Sequence, residues 1–177
     1  MQMSKKVGIA FLFIAVIIIL PVAQSVEAQS SGAIVIKSDG SVIGADKIQR
    51  IGNVYSLTGN LYNLDIVVEC NNIILDGKGF TSEGISGWST LIAINLTASN
   101  VTVRNFNITH WGVGILGAWD HNSISNNTFK EVIRAVAIYA NDYTVTNNTI
   151  QGSTYGIRIL NGNNNRFYGN QLINNFF

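Results

Sequence analysis

Apolar and polar positions recur in this chain with a period of about 21–22 residues from position 66 onward. The apolar positions form three series with nearly the same spacing. The first series is Leu75, Val103, Ile124, Val145 and Phe167; the second, five residues later, is Phe80, Ile108, Phe129, Ile150 and Leu172; the third, nine or ten residues earlier than the first, is Ile66, Ile94, Ile115, Val136 and Ile157. A period this regular is typical of a solenoid, in which each repeat buries its apolar side chains against its neighbours.

The composition of each repeat favours strands over helices. The units are rich in Ile, Val and Thr, which pack well on pleated strands, and in Asn and Gly, which favour turns. A leucine-rich repeat would need a helical segment in every unit. We therefore predict an all-β fold, a single-stranded parallel β-helix with about 21–22 residues per coil. One coil should have strands near residues 114–117, 122–125 and 128–132.

Polar corners separate the first apolar series from the second. Asn tolerates the positive φ of a tight corner, and stacked carboxamides can hydrogen-bond from coil to coil. Gly77 and Gly169 occupy the same corner, as a left-handed backbone position would permit. We predict a structural asparagine ladder, formed by Asn105, Asn126, Asn127, Asn147, Asn148 and Asn170.

One interval of the first series, from Leu75 to Val103, is longer than the others. We assign its seven or so extra residues to a loop at Ser82–Trp88. Cys70, the only cysteine, can form no intramolecular disulfide. In a strand from Val67 to Leu75 it would be a small buried hydrophobic side chain, with a free reactive thiol as the alternative.

The two ends of the solenoid differ from its coils. Ala33–Lys37 and Val42–Ile43 are predicted to pair as a hairpin around an Asp-Gly turn. Residues 29–60 are assigned to an N-terminal cap, because an open coil end leaves strand edges unpaired. The coils then span residues 61–177 and stop partway through a coil, so we expect a truncated sequence or a piece of a longer protein.

Residues 1–28 are predicted to be a signal peptide. Two lysines precede an apolar run of 17 residues from Val7 to Ala23, and residues 26–28 are suited to a signal peptidase. A retained N-terminal membrane anchor is the alternative. In both cases the repeats lie outside the cytoplasm, in an extracellular, cell-surface or periplasmic location.

The charge balance limits the partners. Without residues 1–28 the acidic and basic residues are equal in number, so the formal charge is zero. Nucleic acid binding needs a basic face, and a membrane patch needs clustered cations. We therefore expect no nucleic acid partner, and membrane contact only through the N-terminal segment if it is uncleaved.

Several motifs resemble those of a known family. Asn71–Phe80 reads Asn-Asn-Ile-Ile-Leu-Asp-Gly-Lys-Gly-Phe, and Ser99–Asn105 and the Asn-Asn-Thr corners follow it. These motifs resemble NosD-type right-handed β-helix proteins of the pectin-lyase-like group, and the lead-in Gly52–Asn60 is similar to that of archaeal cell-surface members. The resemblance covers residues 50–177. It implies a right-handed solenoid but no particular activity, since such repeats occur in lyases, hydrolases, adhesins and accessory proteins.

The resemblance to NosD also implies copper handling, which would need several Met, Cys or His ligands. After the targeting segment the chain offers Cys70, His110 and His121, and Cys70 lies one or two coils from the histidines on a different part of the coil. We therefore expect no metal site and no cofactor. Lyases and hydrolases on this fold stack acidic residues on adjacent coils, and this chain does not. Asp76 shares its register with Arg104, which predicts an outward salt bridge worth under about 1 kcal/mol.

One polar corner is a candidate functional site. Asp120 and Asn141 fall at equivalent positions of consecutive coils, as do His121 and Asp142. His121 and Asp142 should stack about 5 Å apart. An acid/base pair or weak cation site is the functional hypothesis. The structural alternative is a hydrogen-bonded turn in which His and Asp replace the usual Asn.

Exposed aromatic side chains would give a sugar-stacking face. The candidates are Trp88, Trp111, Trp119, Tyr139 and Tyr155. The alternative is that Trp111 and Trp119 cap the corners. N-glycosylation sequons suggest a glycoprotein, with Asn95, Asn100 and Asn107 as candidate acceptors.

Three functions remain open from the sequence. The first is an exported, non-catalytic module that binds carbohydrate or a cell-envelope polymer. The second is a fragment of a polysaccharide lyase or glycoside hydrolase whose active residues lie in further coils, although the residues present favour no catalytic assignment. The third is a structural spacer or adhesin stalk in a surface layer.

Overall fold

The structure, a computed structural model, describes residues 32–44, 46–85 and 90–177. These residues form twenty strands and no helix. In chain order the strands are β1 Ile34–Ile36, β2 Val42–Ile43, β3 Ile48–Ile51, β4 Val54–Leu57, β5 Leu61–Tyr62, β6 Ile66–Val68, β7 Ile74–Asp76, β8 Thr81–Glu83, β9 Ile92–Leu96, β10 Thr102–Arg104, β11 Asn107–Thr109, β12 Val113–Gly117, β13 Ser123–Ser125, β14 Thr128–Lys130, β15 Arg134–Ile138, β16 Thr144–Thr146, β17 Thr149–Gln151, β18 Tyr155–Ile159, β19 Arg166–Tyr168 and β20 Gln171–Ile173. Within these ranges no helix is long and apolar enough to cross a membrane.

The strands stack into three sheets, named A, B and C in the order in which each coil visits them. Sheet A runs β18-β15-β12-β9-β6-β1-β2, sheet B runs β19-β16-β13-β10-β7-β4-β3, and sheet C runs β20-β17-β14-β11-β8-β5. Six strands of each sheet pair in parallel, one from each of six coils. The chain is therefore a β-solenoid of about six turns, which confirms the predicted fold class.

Most of the periodic apolar residues occupy the interior, although Leu172 in the last coil is 57% exposed. In sheet B, Val103 pairs with Leu75 on one side and with Ile124 on the other. In sheet A, Ile115 pairs with both Ile94 and Val136. All of these side chains are fully buried. Parallel pairing places equivalent residues on top of one another, so one apolar residue per strand gives a continuous core.

The second series contains one error. Ser82, not Phe80, pairs with Ile108, and Ser82 is fully buried. The difference in residue number between paired positions falls from 28 at Asp76 and Arg104 to 26 at Glu83 and Thr109, and then to 21 at Ile92 and Val113. Two of the seven extra residues therefore lengthen the turn from β7 to β8, and five lie between β8 and β9.

The predicted loop Ser82–Trp88 is consequently wrong at its start, because Ser82 and Glu83 belong to β8. Its end, including Trp88, lies outside the described residues. The predicted strand around Cys70 is also wrong, since β6 ends at Val68 and β7 begins at Ile74. Cys70 lies in the turn between them, partly buried against the core.

The first coil carries two additional strands. The predicted hairpin is present, with Val35 opposite Ile43 in the antiparallel pair β1–β2. Strands β3 and β4 form a second antiparallel pair. Thus β2 and β3 cover the first edges of sheets A and B. The carbonyl oxygen of Gly40 accepts hydrogen bonds from Arg50 Nη1 and from the Tyr55 hydroxyl, each at 2.8 Å, which links the two hairpins.

Asp76 corrects another expectation. It does pair with Arg104, and Nε and Nη2 of the guanidinium each lie 3.0 Å from Oδ2. The carboxylate, however, is buried rather than exposed to solvent. Burial alone would raise the pKa of Asp76, but hydrogen bonds from Asn105, the Lys78 amide and Arg104 together lower it. The ion pair therefore joins a buried carboxylate to a partly exposed guanidinium, and the additional hydrogen bonds to Asp76 make its loss costlier than that of a fully exposed pair.

Candidate functional site

The asparagines between sheets B and C form two columns with different roles. The outer column has a positive φ at each residue, 59° at Asn105, 56° at Asn126 and 55° at Asn147. Gly169 continues it in the last coil with φ 66°. The outer residues therefore supply the left-handed corner that Asn and Gly tolerate best.

The inner column is a hydrogen-bonded ladder. Asn127 Nδ2 donates to Asn148 Oδ1 at 3.1 Å, and Asn148 Nδ2 donates to Asn170 Oδ1 at 3.0 Å. Each Oδ1 also accepts the backbone N–H of the coil before it, for example Phe106 N to Asn127 Oδ1 at 3.0 Å. Asn127 and Asn148 are buried. The six predicted asparagines thus divide into corner residues and ladder residues.

A second set of polar columns lies between sheets A and B, and we name it the A–B corner (residues 118–122, 139–143 and 160–165). Asn141 N donates to Asp120 Oδ1, and Asn163 N donates to Asn141 Oδ1, each at 2.8 Å. The backbone and side-chain hydrogen bonds from Asn141 lower the pKa of Asp120. Asp120 therefore stays an ionised member of the column at neutral pH.

His121 and Asp142 stack in the next column, with Nε2 and Oδ2 3.4 Å apart. Both have positive φ, 63° and 57°. Their side chains are 60% and 37% exposed. The two residues thus serve as left-handed corner residues, while their side chains meet at the surface.

The third column of the corner contains a residue that the sequence did not single out. Asn122 Nδ2 donates to the Tyr143 hydroxyl, and Tyr143 N donates to Asn165 Oδ1, each at 2.8 Å. Burial raises the pKa of Tyr143 to about 12, against the opposing effect of the Asn122 hydrogen bond. The hydroxyl lies against Gly117, where an added methyl group would collide with it. In the sequence, only the asparagines at the equivalent positions of the neighbouring coils, Asn122 and Asn165, indicate that Tyr143 belongs to a polar column.

The aromatic candidates separate in space. Trp119 and Tyr139 are 55% and 48% exposed and lie on consecutive coils of the A–B corner. Trp111 is only 2% exposed and donates its indole N–H to Ser82 O at 3.1 Å, so it offers no ring face for stacking. Its assignment as a sugar-stacking residue is corrected to a core residue, since the large ring fills the turn before β12.

Tyr155 is not near the A–B corner. It begins β18, whereas the corner follows the end of that strand. Its ring stacks on Phe177, with centroids 5.2 Å apart, and the Arg158 guanidinium lies 4.9 Å from its centroid. Trp88 lies outside the described residues. Of the five candidates, Trp119 and Tyr139 are the two that the described structure exposes at the same corner, on consecutive coils and one register position apart.

A further ionic column lies between sheets C and A. His110 Nε2 is 3.2 Å from Glu131 Oε2, and His110 Nδ1 is 3.5 Å from Glu83 Oε1. The common period did not reveal this column, because the insertion shifts Glu83 out of register. The spacing of 21 residues between His110 and Glu131 does match the period and would have predicted that contact.

The glycosylation candidates have different environments. Asn95 lies in β9, partly buried. Asn100 is exposed at a corner with φ 57°. Asn107 Nδ2 donates to Gly79 O at 2.7 Å. Glycosylation at these residues stays a prediction.

The soft metal ligands do not converge. Cys70 lies between β6 and β7, His110 between β11 and β12, and His121 between β12 and β13. Both methionines, Met1 and Met3, precede the described residues. In the part of the chain that the structure describes, no group of three or more His, Cys, Asp or Glu side chains could hold a metal ion.

These features define the class as a parallel β-solenoid with polar side-chain columns at its corners. Residues 22–177 match the model of a family described as periplasmic copper-binding protein (NosD). The chain belongs to the NosD family. No curated protein and no solved structure matches it significantly. The family is a periplasmic one, which agrees with an exported or periplasmic location.

Proposed function

We propose that this chain is an exported, non-catalytic module that binds carbohydrate or another cell-envelope polymer at the A–B corner. One observation carries the proposal: Trp119 and Tyr139 are exposed on consecutive coils, directly beside a column of Asp and Asn side chains. Large exposed aromatic residues rimmed by polar groups are typical of binding surfaces.

The chemistry of the corner suits a sugar. An aromatic face can cover the apolar face of a pyranose, while carboxylate and carboxamide groups bond its hydroxyls. Asp120 and Asn141 supply such groups beside the two rings. Successive coils stack about 4.8 Å apart, so the column of Asp120, Asn141 and Asn163 offers polar groups to a polymer at that spacing along the solenoid.

A binding role fits the protonation state of the corner better than hydrolysis. A glycoside hydrolase needs a protonated carboxyl as general acid beside a second carboxylate. The lowered pKa of Asp120 keeps it ionised, and its oxygens accept hydrogen bonds from Asn141. Asp120 is therefore suited to hold a hydroxyl group rather than to donate a proton.

Copper binding, which the family description names, has less support in this chain. Copper sites draw on clustered Cys, Met or His ligands. Cys70, His110 and His121 lie in three different turns of the described part of the chain. The donor set does not fit copper, and we derive no chemistry through that metal.

The experiment is binding of the purified chain to an array of neutral and charged glycans. Trp119→Ala and Tyr139→Ala should each weaken binding to the selected glycan about tenfold, since truncating an interface aromatic commonly costs at least about 1–2 kcal/mol. Tyr168→Ala is the matched control, because Tyr168 is 58% exposed but lies in sheet B.

Two results would count against the proposal. Absence of binding to every glycan would refute carbohydrate binding. Binding that survives both corner substitutions and is lost in the sheet B control would refute the A–B corner as the site. Release of reducing or unsaturated sugars by this chain would contradict the non-catalytic assignment while leaving the binding surface in place.

A further inference from the structure

We propose that Asn161 is a site of spontaneous deamidation, whereas hydrogen bonds to the neighbouring coil protect other corner asparagines from the same reaction, namely Asn105, Asn126, Asn141, Asn147 and Asn165. The reaction needs the backbone nitrogen of the next residue to reach the side-chain carbonyl carbon. What holds that nitrogen therefore determines which asparagine reacts. This reactivity is a property of the chain itself and does not depend on which ligand the A–B corner binds.

At Asn161 the next backbone nitrogen points to the asparagine's own side chain. Gly162 N–H donates to Asn161 Oδ1 at 2.9 Å. Asn161 is exposed, and Gly162, with φ +127°, has no side chain to shield the nitrogen. The hydrogen bond therefore holds the nucleophile close to the carbonyl group of an exposed side chain, and such proximity accelerates intramolecular attack.

The outer asparagines between sheets B and C show the opposite arrangement. The nitrogen that follows each of them donates to a ladder side chain of the next coil. The three bonds are Phe106 N to Asn127 Oδ1 at 3.0 Å, Asn127 N to Asn148 Oδ1 at 2.9 Å and Asn148 N to Asn170 Oδ1 at 3.0 Å. Asn105, Asn126 and Asn147 thus have their attacking nitrogens held away by the stacked coil.

The same protection operates elsewhere in the A–B corner. Asp142 N, which follows Asn141, donates to Asn163 O at 3.0 Å. Arg166 N, which follows Asn165, donates to Tyr143 O at 2.8 Å. Coil stacking therefore withdraws these nitrogens as well.

An insertion explains why Asn161 differs. The spacing between equivalent corner residues is 21 residues from Asp120 to Asn141 and 22 from Asn141 to Asn163. The additional residue falls between the end of β18 at Ile159 and Asn163, where Asn161 and Gly162 lie. Gly162 N is thus outside the repeating register and turns back to its own neighbour.

The reaction consumes only water. Gly162 N loses its proton and forms a bond to Asn161 Cγ, while the Cγ–Nδ2 bond breaks and ammonia leaves with a proton. The resulting five-membered imide then adds water at either carbonyl carbon. One opening yields aspartate, and the other yields an isoaspartyl linkage, which lengthens the main chain at this corner.

Mass spectrometry after incubation of the folded chain in mildly alkaline buffer tests the proposal. Trypsin cleaves after Arg158 and Arg166 and releases the peptide 159–166, in which fragment masses locate an amide-to-acid change. The same peptide carries three internal controls: Asn165, whose following nitrogen bonds Tyr143 O, and Asn163 and Asn164, which no glycine follows. Conversion at Asn161 should be at least about tenfold faster than at these controls. Asn161→Gln should abolish it on the same timescale, because the longer side chain would have to close a six-membered ring, which forms far more slowly.

Incubation in concentrated urea separates the effect of the fold from that of the Asn-Gly sequence. Unfolding should accelerate conversion at Asn126 and Asn147 by at least about tenfold, because the ladder no longer holds the attacking nitrogens. Conversion at Asn161 should change much less. If folding suppresses Asn161 as strongly as Asn126, or if the internal controls react as fast as Asn161 in the folded chain, the proposal is wrong.

Discussion

Replacing Asn148 with aspartate exchanges a single donor group in the buried ladder for an acceptor. The Asn148 carboxamide makes four hydrogen bonds. Its Oδ1 accepts from Asn127 N and Nδ2, and its Nδ2 donates to Ile124 O at 2.9 Å and to Asn170 Oδ1 at 3.0 Å. Asn148→Asp preserves the size and shape of the side chain. The carboxylate oxygen that replaces Nδ2, however, faces two acceptors, Ile124 O and Asn170 Oδ1.

The expected cost follows from these contacts. The introduced carboxylate, if ionised, would be buried against two acceptors, so the folded state favours the protonated form, which restores one donor. Holding a carboxyl of ordinary pKa, about 3.9, protonated at pH 7 costs about 4 kcal/mol, and the second lost hydrogen bond adds about 1 kcal/mol. Their sum is an upper limit on the cost, because the structure around the substituted side chain can partly relax. We expect a loss of roughly 3–5 kcal/mol in the free energy of unfolding.

Asn147→Asp is the matched control. It makes the same chemical change one residue away, at an exposed position whose φ of 55° aspartate tolerates. Its effect on the free energy of unfolding should stay within about 0.5 kcal/mol. Urea unfolding followed by circular dichroism measures both variants against the parent chain.

The pH dependence makes the test specific. Since the folded state raises the pKa of the introduced carboxyl group, its penalty is absent below the unfolded pKa of about 3.9 and grows as pH rises toward the folded pKa. The stability gap between the two variants should therefore shrink by at least about 2 kcal/mol between pH 7 and pH 4. A gap that is small at neutral pH, or that does not change with pH, would refute the ladder reasoning.

Three further predictions concern other buried contacts and are measured by the same unfolding assay. Gly117→Ala should cost about 1–3 kcal/mol through collision with the Tyr143 hydroxyl, and Tyr143→Phe in the same chain should recover part of it; strictly additive losses would contradict the contact. Ser82→Ala should raise stability by about 1 kcal/mol, because no partner bonds its buried hydroxyl in the described structure; a loss would show that the hydroxyl is bonded. Asp76→Asn should cost about 1.5–3 kcal/mol at neutral pH, because the partly exposed Arg104 guanidinium loses a charge-assisted hydrogen bond. The folded state lowers the pKa of Asp76, so the ionised carboxylate contributes fully to the free energy of unfolding above about pH 3.9. This contribution is lost as pH falls through the folded pKa, and the stability of the variant should not show that loss.

The period was sufficient to predict the core where coil length is constant. Val103, Ile124 and Val145 are buried and paired as their spacing requires. It failed at Phe80, because the extra residues of that coil are divided between two turns. A spacing reports only the total length of an insertion, whereas hydrogen-bond pairing determines where each extra residue lies.

Side-chain roles at the corners were harder to predict than the corners themselves. The sequence indicated Asn-rich turns, but a two-residue Asn-Asn motif does not show which residue faces inward. Asn127 joins the buried ladder while Asn126 forms the left-handed corner. The sequence pattern likewise does not distinguish Trp111 from Trp119, yet Trp111 is buried and Trp119 is exposed.

The sequence alone therefore determined the fold class, since a β-branched period of about 21–22 residues is satisfied by stacking equivalent strands. Only the tertiary structure decided which polar groups meet. It buried Asp76 with Arg104, inserted Tyr143 into a column of asparagines and left Trp119 exposed. The physical reason is that stacking depends on a pattern repeated in every coil, whereas each polar contact depends on the local geometry of one corner.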